Sequence, residues 1–150
     1  MNEQVIHATT VFMDGGAVLI MGDSGVGKSF LALRLILDRK AVLISDDMTV
    51  LSIENGVLYA SSVTMHGSIE VHSIGILKNQ PFVERAPVSL VLLLSEERPP
   101  RLPLEQKFIN FLGKDVPMFE LHAKENGLDI RAYVAVKVAQ KQMALMNCSE

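Results

Sequence analysis

Tryptophan is absent from this chain, and tyrosine and phenylalanine supply only two and six residues. The core must therefore be aliphatic, and apolar residues do fill 49% of the 150 positions. A disordered chain carries far less. Cysteine occurs once, as Cys148, two residues from the end. One cysteine cannot close an internal disulfide, and no Cys/His cluster has zinc-site spacing. Neither sign of charge dominates: 14 basic and 17 acidic residues leave a formal net charge of −3. That balance, with no basic stripe interleaved with aromatics, argues against broad capture of nucleic acid. No apolar run approaches the ~20 residues of a membrane-spanning helix. Met1-Asn2-Glu3-Gln4 lacks the basic-then-apolar order of a signal peptide. Repeats, linkers and low-complexity tracts are lacking as well. The expectation is one soluble cytoplasmic domain over residues 1–150, with no nucleic-acid or membrane partner. A chain of that size buries roughly 70% of its unfolded surface without staples.

What is present is a phosphate-binding loop. Gly22-Asp23-Ser24-Gly25-Val26-Gly27-Lys28-Ser29 fits G-x-x-x-x-G-K-[ST] at every fixed position. In such a loop backbone N–H groups wrap nucleotide phosphates, the lysine adds a point charge and the last hydroxyl can hold Mg²⁺. The context fits. Residues 17–21 form an apolar run that reads as a buried strand, and residues 30–37 read as the following helix. In that helix Leu31/Leu35 and Ala32/Ile36 make adjacent i,i+4 rows that pack on a sheet.

The remaining periodicity predicts an α/β fold. Residues 5–13 favour a strand, and Asp14-Gly15-Gly16 turns it into a hairpin with residues 17–21. Residues 41–44 are a further buried strand. Residues 50–54 and 56–61 flank Asn55-Gly56, a type I′ hairpin signal. Residues 88–94 are the most apolar strand and are expected at the centre. Residues 105–112 are expected as a short helix closed by Gly113, and residues 116–121 as a strand. Residues 131–146 are expected as a terminal helix whose apolar face is marked by Val134, Val138 and Leu145.

Asp46-Asp47 stands at the end of the strand after the loop helix. Ligands of open α/β sheets bind at the carboxyl ends of strands, so these acids should lie near the phosphates. There a carboxylate can hold Mg²⁺ or accept a proton from an attacking hydroxyl. His7 on a strand, Glu70 in an alternating Ile69-Glu70-Val71 and Arg98 and Arg101 in a Pro-rich stretch are weak signals by themselves. By position and composition alone, a structural histidine and solvated side chains are the more usual account of them.

Together these words resemble the catalytic domain of the HPr kinase/phosphorylase family. The matching segments are His7-Ala8-Thr9, the phosphate loop, Ala32-Leu33-Arg34-Leu35-Ile36, Asp46-Asp47, Ile69-Glu70-Val71 with Ile74-Gly75-Ile76, Arg101-Leu102-Pro103, and Leu112-Gly113 with Val116-Pro117. They run in family order from about residue 5 to residue 121, and the length is similar to the short alphaproteobacterial form. The resemblance implies a single P-loop domain with a mixed β-sheet flanked by helices. It implies an ATP- and Mg²⁺-dependent protein-serine kinase acting on an HPr-like phosphocarrier. It assigns Lys28 to the β- and γ-phosphates, Ser29 and Glu70 to Mg²⁺, Asp47 to the general base with Asp46 beside it, His7 to support of that site, and Arg101 to catalysis. It also implies a homo-oligomer, hexameric in the family.

The chain departs from the family's pattern in three places. Phe30 follows the loop serine where the family usually has an acid. His72 replaces the arginine of Ile-Glu-Val-Arg-Gly and lacks its bidentate fork. Residues 121–127 have no clear counterpart of the Pro-Val-x-x-Gly-Arg-Asn region tied to dephosphorylation, which leaves the phosphorylase direction open. Two alternatives therefore stand beside the kinase: a nucleotide-binding regulatory module with weakened catalysis, and a small-molecule P-loop kinase. The scattered arginines speak against the lid that the latter commonly carries.

Overall fold

The computed structural model describes residues 2–63 and 66–146; Cys148 lies outside them. The chain opens with three strands, β1 (Glu3–His7), β2 (Thr9–Met13) and β3 (Gly16–Gly22). The expected strand at residues 5–13 is thus broken at Ala8, because its two halves serve different partners. β1 pairs antiparallel with β5 (Met48–Glu54), whereas β2 lies between β3 and β4 (Val42–Ser45). The β2–β3 hairpin turns at Asp14 and Gly15, with φ of 53° and 82°. The β5–β6 hairpin, with β6 at Val57–Ser62, turns the same way at Asn55-Gly56, with φ of 51° and 76°. Positive φ at both central residues is what a type I′ turn requires.

β9 (Arg85–Ser95) is central. Its first residues pair with β6, and its remainder runs parallel between β3 and β11 (Lys114–His122). Its run Leu90-Val91-Leu92 is fully buried, as expected of a parallel strand covered on both faces. Val18, Ile20, Leu90 and Leu92 face one core with the helices. Ala17, Leu19 and Val91 face a second core with Leu51, Leu58 and Phe111. Both helices, α1 (Lys28–Arg39) and α2 (Leu128–Ala139), pack into the first core. Strands β5 and β6 and the hairpin of β10 (Lys107–Phe111) with β11 contribute to the second. The fold is the mixed α/β class expected, with the helices contributing to one of two cores around a curled sheet.

Two expectations are corrected. Residues 105–112 do not form a helix; β10 there pairs antiparallel with β11. Aromatic and β-branched residues dominate this segment and favour a pleated surface. Leu112 and Gly113 take φ of 53° and 86°, so Gly113 closes a hairpin and does not stop a helix. The terminal helix begins earlier and ends earlier than residues 131–146. Gly127, at φ 75°, is its N-cap. Its buried face is Leu128, Ala132, Ala135 and Val136, whereas Val134 is 37% and Leu145 63% exposed. Small alanines allow close packing on the sheet and α1, and that contact decides the face.

Asp129, on the first turn of α2, is buried and joins the helices. Arg34 meets it at 3.0 Å and Arg39 at 3.6 Å, both from α1. Lys137 of α2 reaches Asp14 in the β2–β3 turn at 2.6 Å. That contact raises the Lys137 pKa above its ordinary value, through the hydrogen bond to Asp14 first, against a smaller opposing effect of burial.

Candidate active site

β4 is antiparallel to β2, which is antiparallel to β3. β3, β4, β9 and β11 therefore all point the same way, and their ends meet along one edge of the sheet. The phosphate loop, Asp46-Asp47, the segment 96–106 and the turn 123–127 all follow these ends. This is the edge where open α/β sheets bind ligands.

The loop itself is set by glycines. Gly22 leaves β3 at φ 147°, where a Cβ would lie 2.6 Å from the Leu94 carbonyl oxygen. Gly25 and Gly27 have φ of 80° and 108°, with open space where a Cβ would project. Gly27 caps α1 without any side-chain hydrogen bond, and the first helical turn holds no acid. Unmet N–H groups at such a helix start favour an anion. Lys28 Nζ donates to the carbonyls of Gly22 at 2.9 Å and Asp23 at 3.0 Å. Its ammonium therefore lies over the loop.

Asp46 is the hub. Its Oδ1 accepts from Ser29 Oγ at 2.6 Å and from Thr9 Oγ1 at 3.0 Å, and its Oδ2 accepts from the Glu70 N–H at 2.9 Å. Asp47 is exposed, with φ of 69°, and its N–H donates to Thr9 Oγ1 at 3.1 Å. One buried hydroxyl thus touches both acids. Among the described residues no group of three or more His, Cys, Asp or Glu side chains could hold a metal by itself. A hydroxyl beside one carboxylate is nonetheless the hard-oxygen set that Mg²⁺ shares with substrate phosphates. Loop and donors together fit a magnesium nucleotide.

The family model for the HPr Serine kinase C-terminal domain matches residues 1–150. The chain belongs to that family. This HPr kinase-type domain is 34% identical over 160 aligned residues to an HPr kinase/phosphorylase of Lachnoclostridium phytofermentans, across 97% of this chain and 51% of the relative. It is 30% identical over 152 residues to one of Caldanaerobacter subterraneus, across 92% of this chain and 50% of the relative. The solved structure of the Hpr(Ser) kinase/phosphatase from Coxiella burnetii superposes with a TM-score of 0.80 at 30% identity, covering 93% of this chain and 98% of that one. The chain spans about half the length of the curated relatives it matches.

In this kinase-family fold the sequence candidates divide. Gly22 to Ser29, Asp46 and Asp47 are brought together. Glu70, on β7 (Ile69–Val71), joins them through its backbone, while its side chain is exposed. His7 is exposed at the end of β1 and pairs with Met48, so it backs the acidic turn. Arg101 is exposed in the segment between β9 and β10, and among the described residues no hydrogen bond or ion pair joins it to the Ser29–Asp46 group. Arg98 is bound to Glu125 at 2.7 Å, and Arg131 reaches the same carboxylate at 3.3 Å. Hydrogen bonding from Arg98 holds the Glu125 carboxyl below its ordinary value, with Arg98, Arg131 and His122 charges adding to this and burial opposing it. Phe30 is 61% exposed just after the loop, and His72 is exposed in the β7–β8 turn, with β8 at Gly75–Leu77.

The sequence gives Thr9 no role beyond the matching segment His7-Ala8-Thr9, and it does not predict the direct Ser29–Asp46 contact. The contact had a signal: in P-loop NTPases the acid ending a neighbouring strand assists the loop hydroxyl at the metal. Thr9 had a fainter one, a pair of adjacent hydroxyls, Thr9-Thr10, opening an otherwise apolar strand.

Proposed function

We propose that this chain is an ATP- and Mg²⁺-dependent protein-serine kinase domain that phosphorylates an HPr-like phosphocarrier. The hydrogen bond from Ser29 Oγ to Asp46 Oδ1 at 2.6 Å carries the reading. It joins the phosphate loop to the acidic pair at the edge where a γ-phosphoryl group would lie. The relatives named HPr kinase/phosphorylase supply the substrate class.

In this reading the loop N–H groups and Lys28 bind the phosphates. Ser29 and Glu70, with Asp46 close by, would hold Mg²⁺, which would supply charge neutralisation for the phosphate oxygens. Asp47 takes the proton of the substrate serine hydroxyl as that oxygen bonds to the γ-phosphorus. The bond from phosphorus to the β,γ-bridging oxygen breaks, and ADP keeps the electron pair. His7 supports Asp47 from the neighbouring strand, and Arg101 is the arginine that stabilises charge on the transferring group. The work is positioning and charge neutralisation. A phosphorylase direction would need a carboxylic acid at the same place to return the proton. A cytoplasmic homo-oligomer, hexameric as in the resemblance, completes the proposal.

Exposed Phe30, beside an intact loop, favours the regulatory module as second reading. Labelled ATP with an HPr-like phosphocarrier separates the two. The kinase forms phosphoserine. ATP binding without phosphoserine would leave the regulatory module, and transfer to a metabolite but no protein would leave the small-molecule kinase.

A further inference from the structure

Thr9 has no assigned role, yet it is 0% exposed and, among the described residues, is the one side chain hydrogen-bonded to both halves of the acidic pair. A hydroxyl has a single hydrogen. Here that hydrogen goes to Asp46 Oδ1, and the oxygen accepts from the Asp47 N–H. The direction of both bonds is therefore fixed. Asp47 sits at φ 69°, a left-handed conformation that residues with a Cβ rarely adopt, Asp being among the more tolerant. Two hydrogen bonds border it: Asp47 N–H to Thr9, and Met48 N–H to the Asp46 carbonyl at 2.8 Å.

Thr9 itself is anchored. Its register against Ile20 is set by the β2–β3 ladder. Its neighbour Thr10 is bonded to Thr49, which donates to the Ala8 carbonyl at 2.8 Å. This buried polar seam gives the hydroxyl a fixed place from which to act.

We propose that the Thr9 hydroxyl is a positioning group that locks the Asp47 backbone and so aims its carboxylate at the substrate hydroxyl. The proposal rests on the kinase reading for the role of Asp47. Thr9→Val keeps the branched shape and removes both hydrogen bonds; Thr9→Ser keeps the hydroxyl. The experiment compares both with the native full-length chain by two readouts. The first is amide hydrogen exchange at Asp47, followed by NMR, which needs no catalysis. The second is the split of kcat and ATP KM in phosphotransfer to the phosphocarrier, with rates normalised to nucleotide-binding sites.

The expected result for Thr9→Val is Asp47 exchange at least about tenfold faster and kcat lower by about 10²-fold, the scale of a small misplacement at a reacting centre. ATP KM stays within about twofold, since the loop is untouched, and Thr9→Ser restores both readouts. Unchanged Asp47 exchange in Thr9→Val overturns the proposal. So does faster exchange with kcat unchanged, or a Thr9→Ser variant that behaves like Thr9→Val. A native chain without phosphotransfer sinks the kinase reading and with it the aiming role. Amide exchange then still decides whether Thr9 locks the turn.

Discussion

Ser29 Oγ lies 2.6 Å from Asp46 Oδ1, and the hydroxyl is the donor. With its proton turned to the carboxylate, the serine oxygen keeps its lone pairs for a cation. Asp46→Asn removes the charge and places an amide among three donors, from Ser29, Thr9 and Glu70. Outer-sphere changes of this type cost about 10- to 100-fold in metal affinity or activity. The expected outcome is a Mg²⁺ requirement raised by that factor, with nucleotide binding in the absence of metal unchanged. Initial rates against Mg²⁺ and nucleotide titrations with and without metal check it. An unaltered Mg²⁺ dependence would detach Asp46 from the metal site.

Gly22 and Gly25 share the loop but should respond differently to alanine. At Gly22 the new Cβ would meet the Leu94 carbonyl oxygen at 2.6 Å and Val26 Cγ1 at 2.9 Å. Leu94 belongs to the central strand, which cannot yield. At Gly25 nothing lies within 4 Å, and only the positive φ opposes the change. Gly22→Ala should therefore lower the melting temperature and weaken ATP binding at least about tenfold. Gly25→Ala should bring a smaller loss of stability, on the order of 1 kcal/mol from backbone strain. Thermal melts and ATP titrations of both variants test the contrast.

The loop and its flanking strand and helix were legible in the sequence because their determinants are local. The acidic pair was legible through topology, since a buried strand directly after the loop helix delivers its end to the same edge. Thr9 and Asp129 were not. Their partners lie 37 and 95 residues away, at Asp46 and Arg34, and no local period reports such contacts. β10 was missed because Gly113 follows an apolar segment equally well as a helix stop and as a hairpin turn. The choice between them is made by pairing with β11. The face of α2 was misassigned because Val134 and Val138 look more apolar than Ala132 and Ala135. Close approach to the sheet and α1 selects the smaller residues.

Asp129 is 7% exposed and holds Arg34 and Arg39 on the helix that starts at the phosphate loop. Removing it takes the shared carboxylate from both guanidinium groups at the α1–α2 contact. A hydrogen bond to a charged group is worth about 2 kcal/mol, so Asp129→Ala should destabilise the fold by roughly that amount or more. Arg34→Ala should cost less, because Arg39 still meets the carboxylate and Arg34 is 43% exposed. Denaturant unfolding of both variants gives the ranking, and a larger loss for Arg34→Ala would remove Asp129 as the brace.

Glu125 ties the segment that carries Arg101 to the start of α2, through Arg98 at 2.7 Å and Arg131 at 3.3 Å. Its carboxyl is held below the ordinary value of 4.5, chiefly by the Arg98 hydrogen bond. A carboxyl lowered in the folded chain lends stability that is present above its unfolded value and is lost as pH falls through the folded one. Glu125→Gln removes that contribution at every pH. The melting-temperature difference between native chain and variant should hold steady above the ordinary carboxyl value of 4.5 and close as pH falls through the lowered one. It should also shrink in high salt, since Arg98 is 69% exposed and exposed pairs are screened. If the segment positions Arg101, the variant also loses kcat at neutral pH while ATP binding is kept. A melting difference that persists unchanged once falling pH has protonated the carboxyl would show that Glu125 acts through packing and not through its charge.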